Sequence, residues 1–516
     1  VPVAWALAVA VASVILFTRL NGFSVFRHPD EPDKVAQVIG GEWNLHHPPM
    51  LLWVTDLAVR VSGTARDEQS VAGVGRAVSA CFCAMGVGAL SLFAWRWKGP
   101  VAGVLAGLLL LTHHQLFELA HYFKEDTPLL AGVALSFLAM QRFRRTGSRL
   151  SAALLGGACA VAASGKYLGL AMVPLALFAV LMRPKAEVCR DEVPHLNWGW
   201  FLAALLAGIA LLNWPIFGRI PTLFESVGRE MEFAFEGRHG MRRRIPHGQY
   251  WPIFIDNTTP ALWAGIAGVI VLVVRRIAGG KAPRAFRERP VESLLALLPF
   301  AMGIGLSFSP KSHDRYFLPA TALLTVIGSI GLLSMAGSAP ARWRRAAAGV
   351  LALTAVACQF VTLPSPLDWK TLPEYYGAFS SDDRMALRQW IEETLRPEDG
   401  IAQDGRVGLP VTGNKRDAHR YQPLAQRVLG SKFAADLGSL DDLRDQGISY
   451  AVVSQSDYGR YFIEGMEATP GTEEEAERRR AFYERLFAEG ELVWERPRGT
   501  VLYLHPGLKV YRIAAP

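Results

Sequence analysis

Long apolar runs fill the first two thirds of the chain and stop near residue 363. A helix crossing a bilayer needs about 20 mainly apolar residues, because lipid offers the backbone no hydrogen-bond partners. On that criterion about eleven segments predict spanning helices, at 2–20, 70–95, 100–118, 127–141, 150–164, 167–182, 198–214, 260–274, 291–308, 316–336 and 346–363. The first starts at Val1 with neither a basic leader nor a small-residue cleavage site, which predicts an uncleaved span. Between the seventh and eighth segments, Leu223, Val227, Met231 and Phe235 recur every four residues, with Glu225, Arg229, Glu232 and Glu236 on other positions. This spacing predicts an amphipathic helix lying on the membrane surface. Beyond 364 the pattern shortens: 381–395 reads as an amphipathic helix, 448–454 as a buried strand, 473–488 as a charged helix and 491–513 as several strands. The expected fold is a polytopic α-helical membrane domain over residues 1–363, followed by a soluble α/β domain over 364–516.

Charge divides the chain in the same way. Residues 1–363 carry 34 Lys+Arg against 21 Asp+Glu, a net of +13, whereas 364–516 carry 20 against 25, a net of −5. The overall +8, on a chain that is 51% hydrophobic and 19% charged, therefore averages two unlike regions and excludes a uniform soluble enzyme. It also gives no argument for nucleic acid, since the excess basic charge lies among the apolar runs. Basic residues gather in alternate loops, at 96–98, 142–149, 183–190, 275–289 and 342–345, and the positive-inside rule makes those loops cytoplasmic. Loops 21–69, 119–126, 165–166, 215–259 and 309–315, with everything after 363, are then expected outside a plasma (inner) membrane. Loop 215–259 breaks the bias with Arg238, Arg242, Arg243 and Arg244. Either it binds an anion or it faces solvent and lipid headgroups. Cys81, Cys83, Cys159, Cys189 and Cys358 all lie in or beside the apolar segments, so small buried hydrophobe is their expected role, with no disulfide framework or zinc site.

The outward loops hold the candidate chemistry. The first reads FRHPDEPDKVAQVIGGEWNLHHPPMLLW, with Asp30 and Glu31 just before a segment that can lie as an interfacial helix. A positioned carboxylate can take the proton of an attacking hydroxyl. Asp30 can equally cap a short helix that has Pro32 inside its first turn. The same loop ends in His46-His47-Pro48-Pro49, the second outer loop is HYFKEDTPLL with Asp126, the third outer element is SGKYLGL with Lys166 and Tyr167, and a late one is SPKSHDRYFLPATALL with His313, Arg315, Tyr316 and Pro319.

In that order and spacing, these motifs resemble the GT-C superfamily of membrane glycosyltransferases, in the branch of protein O-mannosyltransferases and bacterial aminoarabinose transferases. The resemblance covers about residues 1–335. It implies a GT-C type fold and transfer of a sugar from a polyprenyl-phosphate-linked donor to a hydroxyl-type acceptor, which is a membrane lipid, a glycan or a protein, at the outer membrane face. It implies Asp30 as the base or acceptor-orienting carboxylate, Glu31 as its neighbour, Asp126 as a second acid shaping the site, and Arg315 beside the donor phosphate. Paired N–H donors suit Arg to a lipid phosphate, and Lys166 can add a point charge. His46, His47, Tyr167, His313, Tyr316 and the run Arg242, Arg243, Arg244 complete the expected substrate contacts. No cofactor is firmly implied. A divalent metal stays open, because some branches of the family use one, although no tight His-x-x-x-His spacing with a third carboxylate is present.

Other readings compete. Asp126-Thr127-Pro128 is a good helix start, which would make Asp126 a cap. Lys166 and Arg315 sit at membrane edges and could be snorkelling anchors. The whole chain could be a multi-pass transporter or a non-catalytic envelope assembly protein. Transporters, however, usually keep ionisable groups at the midplane of repeated halves, and neither feature is visible here. The tail over 364–516 contains no glycine-rich phosphate loop and no nucleophile constellation.

Overall fold

The computed structural model describes residues 1–181, 197–236, 241–243, 255, 257–278, 289–308, 314–337, 339–361, 369–414 and 422–513. Two compact units emerge. One comprises 1–230, 247–308 and 312–373, and the other 231–246, 309–311 and 374–516.

The first unit is helical: α1 (Pro2–Phe17), α2 (Glu31–Gly40), α3 (Met50–Ser62), α4 (Glu68–Lys98), α5 (Pro100–Leu111), α6 (His114–Ala120), α7 (Asp126–Thr146), α8 (Arg149–Gly165), α9 (Met172–Leu181), α10 (Asn197–Leu212) and α11 (Ile220–Glu236), then helices Pro260–Ala278, Pro290–Leu306, Leu318–Gly337 and Arg344–Ala357. A helix stands at each of the eleven predicted segments. By length and apolar composition, Glu68–Lys98 and Arg315–Gly337 are sufficient to cross a membrane, and α5 with α6 makes a third only if the pair, bent by 55°, is one span. The single segment expected at 100–118 is thus corrected to a broken one. The His113 side chain accepts the Gln115 N–H at the break and starts α6 afresh. The segment expected at 167–182 likewise opens with a 3₁₀ stretch, Tyr167–Ala171, before α9.

The helix Leu318–Gly337 is almost wholly buried and packs on Pro260–Ala278, Pro290–Leu306, α4, α5 and α7. Its approach to Pro260–Ala278 is made backbone to backbone. A Cβ on Gly331 would lie 1.8 Å from the Gly265 carbonyl oxygen, and one on Gly265 2.1 Å from that of Gly328. Such small-residue seams are how apolar helices associate where no hydrophobic effect drives them together. Trp53 on α3 donates to the Leu212 carbonyl at 2.7 Å, and Asn213 donates to Ser164 at 2.6 Å, tying the ends of α3, α8 and α10.

In the second unit a mixed five-stranded sheet has the order β3-β2-β4-β7-β6, from β2 (Gly400–Gln403), β3 (Val428–Gly430), β4 (Ile448–Ser454), β6 (Glu491–Arg498) and β7 (Pro506–Arg512). β2 runs parallel to β3 and β4, and β7 is antiparallel to β4 and β6. Side chains along a strand alternate between faces. Tyr450 and Val452 of β4 join Leu387 and Ile391 of helix Asp383–Thr394, whereas Ala451 and Val453 join Phe482, Tyr483 and Leu486 of helix Glu473–Glu489. A separate pair joins β1 (Met241–Arg243) antiparallel to β5 (Met466–Ala468). The four free cysteines among the described residues are Cys81, Cys83, Cys159 and Cys358, and Cys189 lies outside them.

Candidate active site

The segment Lys124-Glu125-Asp126, between α6 and α7, organises the charged centre of the first unit. Each of the three residues pairs with a different partner. Lys124 Nζ binds Asp30 Oδ2, Lys34 Nζ binds Glu125 Oε1, and Lys166 Nζ donates to Asp126 Oδ1 at 2.7 Å. Asp30 and Lys34 are one helical turn apart, so α2 offers an acid and a base on one face to two successive residues of the opposite loop. Arg315 stands 3.8 Å from the same Oδ2 of Asp30.

Local sequence explains these placements. Pro32 in the first turn of α2 has no N–H to satisfy, and Gly41 ends the helix at φ 71°, a conformation that favours glycine. Asp30 occupies the cap position of α2, but its side chain makes no capping hydrogen bond and turns to Lys124. Asp126 likewise opens α7 without capping it. The capping alternatives for both acids therefore fail, because each carboxylate is spent on an ammonium group. Lys166 ends α8, where Gly165 lets that helix come within backbone contact of α7: a Cβ there would lie 2.5 Å from the Leu129 nitrogen. The close approach brings Lys166 to Asp126.

Lys166 also lies 4.4 Å from the centre of the Tyr316 ring, and the Arg315 guanidinium 5.5 Å from it, both within cation–π range. Tyr167 donates to the Leu45 carbonyl at 3.0 Å. Leu45 has φ 56°, a strained value for a residue with a side chain, immediately before His46-His47. Ser226 on α11 donates to the Asn44 carbonyl at 2.6 Å, and Arg219 to that of Trp43 at 3.2 Å, so the predicted amphipathic helix grips the same segment.

Burial sets the protonation states. It pushes Asp30 up, but Lys124, with Arg315 beside it, outweighs burial and holds the carboxyl well below the usual carboxylate range. Glu125 is likewise held low, with Lys34 and then Lys124 opposing its burial. Burial pushes His47 down to about 4 and His28 well below its ordinary value, leaving both neutral at pH 7. Four cations, Lys34, Lys124, Lys166 and Arg315, then meet three carboxylates, Asp30, Glu125 and Asp126.

Glu31 is placed differently from its neighbour. It is fully buried and accepts from Arg76 Nε at 3.0 Å, Arg76 Nη2 at 2.5 Å and the Phe123 N–H at 2.8 Å. Arg76 in turn donates to the carbonyls of Asn21, Phe23 and Ser24 and stacks on Phe23 at 3.6 Å. With its carboxylate clamped, Glu31 holds α2, α4 and the loop before α7 together.

Sequence reasoning passed over Lys34, Lys124, Glu125 and Arg76. A signal existed for three of them: Lys34 is four residues after Asp30, and Lys124-Glu125 abuts Asp126. Arg242 and Arg243 lie on β1 in the second unit, whereas His313 and Arg244 lie outside the described residues. Among the described residues no group of three His, Cys, Asp or Glu side chains is arranged so that it could hold a metal ion. The three acids of the site each carry an ammonium partner, a donor set that does not fit a divalent cation.

Residues 46–214 match the family model described as dolichyl-phosphate-mannose-protein mannosyltransferase. The matched segment contains His46, His47, the Lys124-Glu125-Asp126 run, Lys166 and Tyr167, with Asp30 and Arg315 on either side of it. The likeness to GT-C membrane glycosyltransferases of the protein O-mannosyltransferase branch therefore stands. Among solved structures, ArnT from Cupriavidus metallidurans bound to undecaprenyl phosphate is 16% identical, with 99% of this chain and 98% of that chain covered at a TM-score of 0.48. The Archaeoglobus fulgidus oligosaccharyltransferase in the apo form is 12% identical, with 89% and 70% covered at 0.49. The arabinofuranosyltransferase AftD from Mycobacteria is 15% identical, with 99% and 42% covered at 0.44. No curated protein matches the chain.

Proposed function

We propose that the chain is a multi-pass glycosyltransferase of about eleven spans that moves a sugar from a polyprenyl-phosphate donor to a hydroxyl-type acceptor at the outer face of the plasma membrane. Its domain over 364–516 lies on the same outer side. The observation that carries the reading is the charged centre itself, where Asp30, Lys124, Asp126, Lys166 and Arg315 converge beside a segment that matches a dolichyl-phosphate-mannose-dependent family.

In the transfer step the acceptor oxygen attacks the anomeric carbon as the bond from that carbon to the phosphate oxygen breaks. The polyprenyl phosphate leaves with the electron pair, and the acceptor proton passes to Asp30. Lys124 and Arg315 are both placed against Asp30 Oδ2, and Asp30 is about one-third exposed, which gives an acceptor access to the carboxylate. Charge developing on the leaving phosphate is met by Arg315 and Lys166. Fixed cations in a site shielded from water make electrostatic stabilisation of this kind commonly the largest catalytic contribution. Asp126 holds Lys166, Glu31 holds the loop, and Tyr167 with Leu45 fixes the entry of His46 and His47.

The test uses purified full-length protein in nanodiscs, offered radiolabelled polyprenyl-phosphate sugars with an envelope lipid or protein extract. Transfer is expected and should be lost in Asp30→Asn with the fold retained. Undiminished transfer in that variant overturns the role of Asp30. No transfer from any donor overturns the reading and favours transport or scaffolding.

A further inference from the structure

We infer that Lys124 is a latch on Asp30 which the donor phosphate opens, so that the acceptor's base becomes available only when a donor is bound. The inference rests on the transferase reading above and adds a positioning residue to it. Its ground is geometric. Lys124 is 97% buried, and its ammonium is committed to Asp30 Oδ2, the oxygen that Arg315 also approaches. Glu125, the neighbouring carboxylate, is occupied by Lys34, and Asp126 by Lys166. The latch is thus the pair with a solvent-accessible member, since Asp30 is about one-third exposed while Lys34, Glu125 and Asp126 are nearly sealed.

In the latched state Asp30 is too weak a base for the work assigned to it. A carboxylate held by an ammonium and a guanidinium keeps its lone pairs and takes no proton from a hydroxyl. A phosphate entering past Arg315 offers Lys124 a second acceptor, and charge-assisted hydrogen bonds to phosphate are strong enough to compete with the carboxylate. As the ammonium moves to the phosphate, Asp30 loses its principal counter-charge and becomes more basic. When the carrier lipid departs, Lys124 returns. The device keeps a competent base from activating water when no donor is present.

The latch makes Asp30 and the lipid phosphate rivals for one cation, and that rivalry can be measured without turnover. The probe is undecaprenyl phosphate, titrated onto the full chain in nanodiscs and followed by native mass spectrometry. Asp30→Asn should bind the lipid roughly ten-fold more tightly than the parent, about 1.4 kcal/mol, although it should transfer no sugar. Lys124→Gln should bind it at least ten-fold more weakly, and Lys124→Arg should stay within about three-fold of the parent. The deciding measurement is the double variant. In the Lys124→Gln background, Asp30→Asn should give no tightening, because the competed cation is gone. If the tightening persists there, Asp30 merely repels the phosphate and the latch is refuted. If Asp30→Asn weakens binding, the latch is also refuted. Binding by no variant, the parent included, overturns the transferase reading and the latch together, an outcome distinct from both.

Discussion

Replacing Glu31 by Gln tests whether this acid, adjacent to Asp30, holds the site or takes part in its chemistry. The side chain is fully buried, and its two oxygens accept three hydrogen bonds, two of them from the guanidinium of Arg76. The amide keeps one acceptor but loses the charge, which leaves Arg76 as an uncompensated cation in the interior. Breaking one side of a buried ion pair typically costs about 3–5 kcal/mol. The carbonyls of Asn21, Phe23 and Ser24 still hold Arg76, which puts the expectation near the lower end. With an unfolding entropy of about 2 cal/mol/K per residue over a unit of this size, 3–4 kcal/mol lowers the midpoint by roughly 4–6 °C. The assay is thermal unfolding in nanodiscs at a fixed scan rate, with donor transfer measured below the transition. The double variant Glu31→Gln with Arg76→Met removes both charges, and it should recover at least half of the lost stability. If Glu31→Gln abolished transfer while leaving the midpoint unchanged, or if the double variant were no more stable than the single, the clamp reading would be wrong and Glu31 would belong with the reacting groups.

Three further predictions follow from the same geometry. Gly165→Val should force α8 off α7 and pull Lys166 from Asp126, cutting transfer at least ten-fold, whereas Gly157→Ala, where a Cβ meets nothing within 4 Å, should be silent in the same assay. Tyr167→Phe should cost about 1 kcal/mol through its lost hydrogen bond to the Leu45 carbonyl, and it should raise the KM for donor more than it lowers kcat. In the second unit His505 lies 3.0 Å from Asp383 and 2.8 Å from the Ala378 carbonyl, and these partners outweigh burial to raise its pKa. Its contribution to stability is therefore complete below about pH 6.5 and is lost as pH rises through the higher folded value. Limited proteolysis of the second unit should accelerate across that interval, and His505→Gln should flatten the dependence.

What the sequence revealed and what it hid have separate physical causes. Period and punctuation are local, so the helix Ile220–Glu236 was readable from four apolar residues spaced by four, and β4 from a run of β-formers. The bend between α5 and α6 was hidden because hydropathy averages over the two polar residues His113 and His114 that cause it. The helix α3 was hidden because its amphipathic pattern follows directly on the His-Pro-Pro turn. In the site, Asp30, Asp126, Lys166 and Arg315 were visible as types and positions. Their partners were not, because Lys124 to Asp30 spans 94 residues and Arg76 to Glu31 spans 45, and nothing local encodes a pairing across such distances. The sequence likewise set Glu31 beside Asp30 as its neighbour in the candidate catalytic pair, with no sign of its separate environment. Packing separates them into a sealed clamp and a carboxylate about one-third exposed.

The run Lys124-Glu125-Asp126 also sets an order of assembly. As the chain is made from its N-terminus, the partners of Lys124 and Glu125 on α2 are already present when the run emerges, and those two pairs can close at once. Asp126 must wait for another forty residues before Lys166 exists, and Asp30 must wait for nearly three hundred before Arg315 arrives. The nascent site therefore passes through a stage in which an acid at the start of α7 has no counter-charge. A chain truncated after α7 should expose that acid to whatever cation or chaperone surface lies nearby. The last cation of the site arrives with Arg315, in the turn just before Leu318–Gly337, the helix that also fills the middle of the bundle, so the final charge of the site and much of the packing both come late in synthesis.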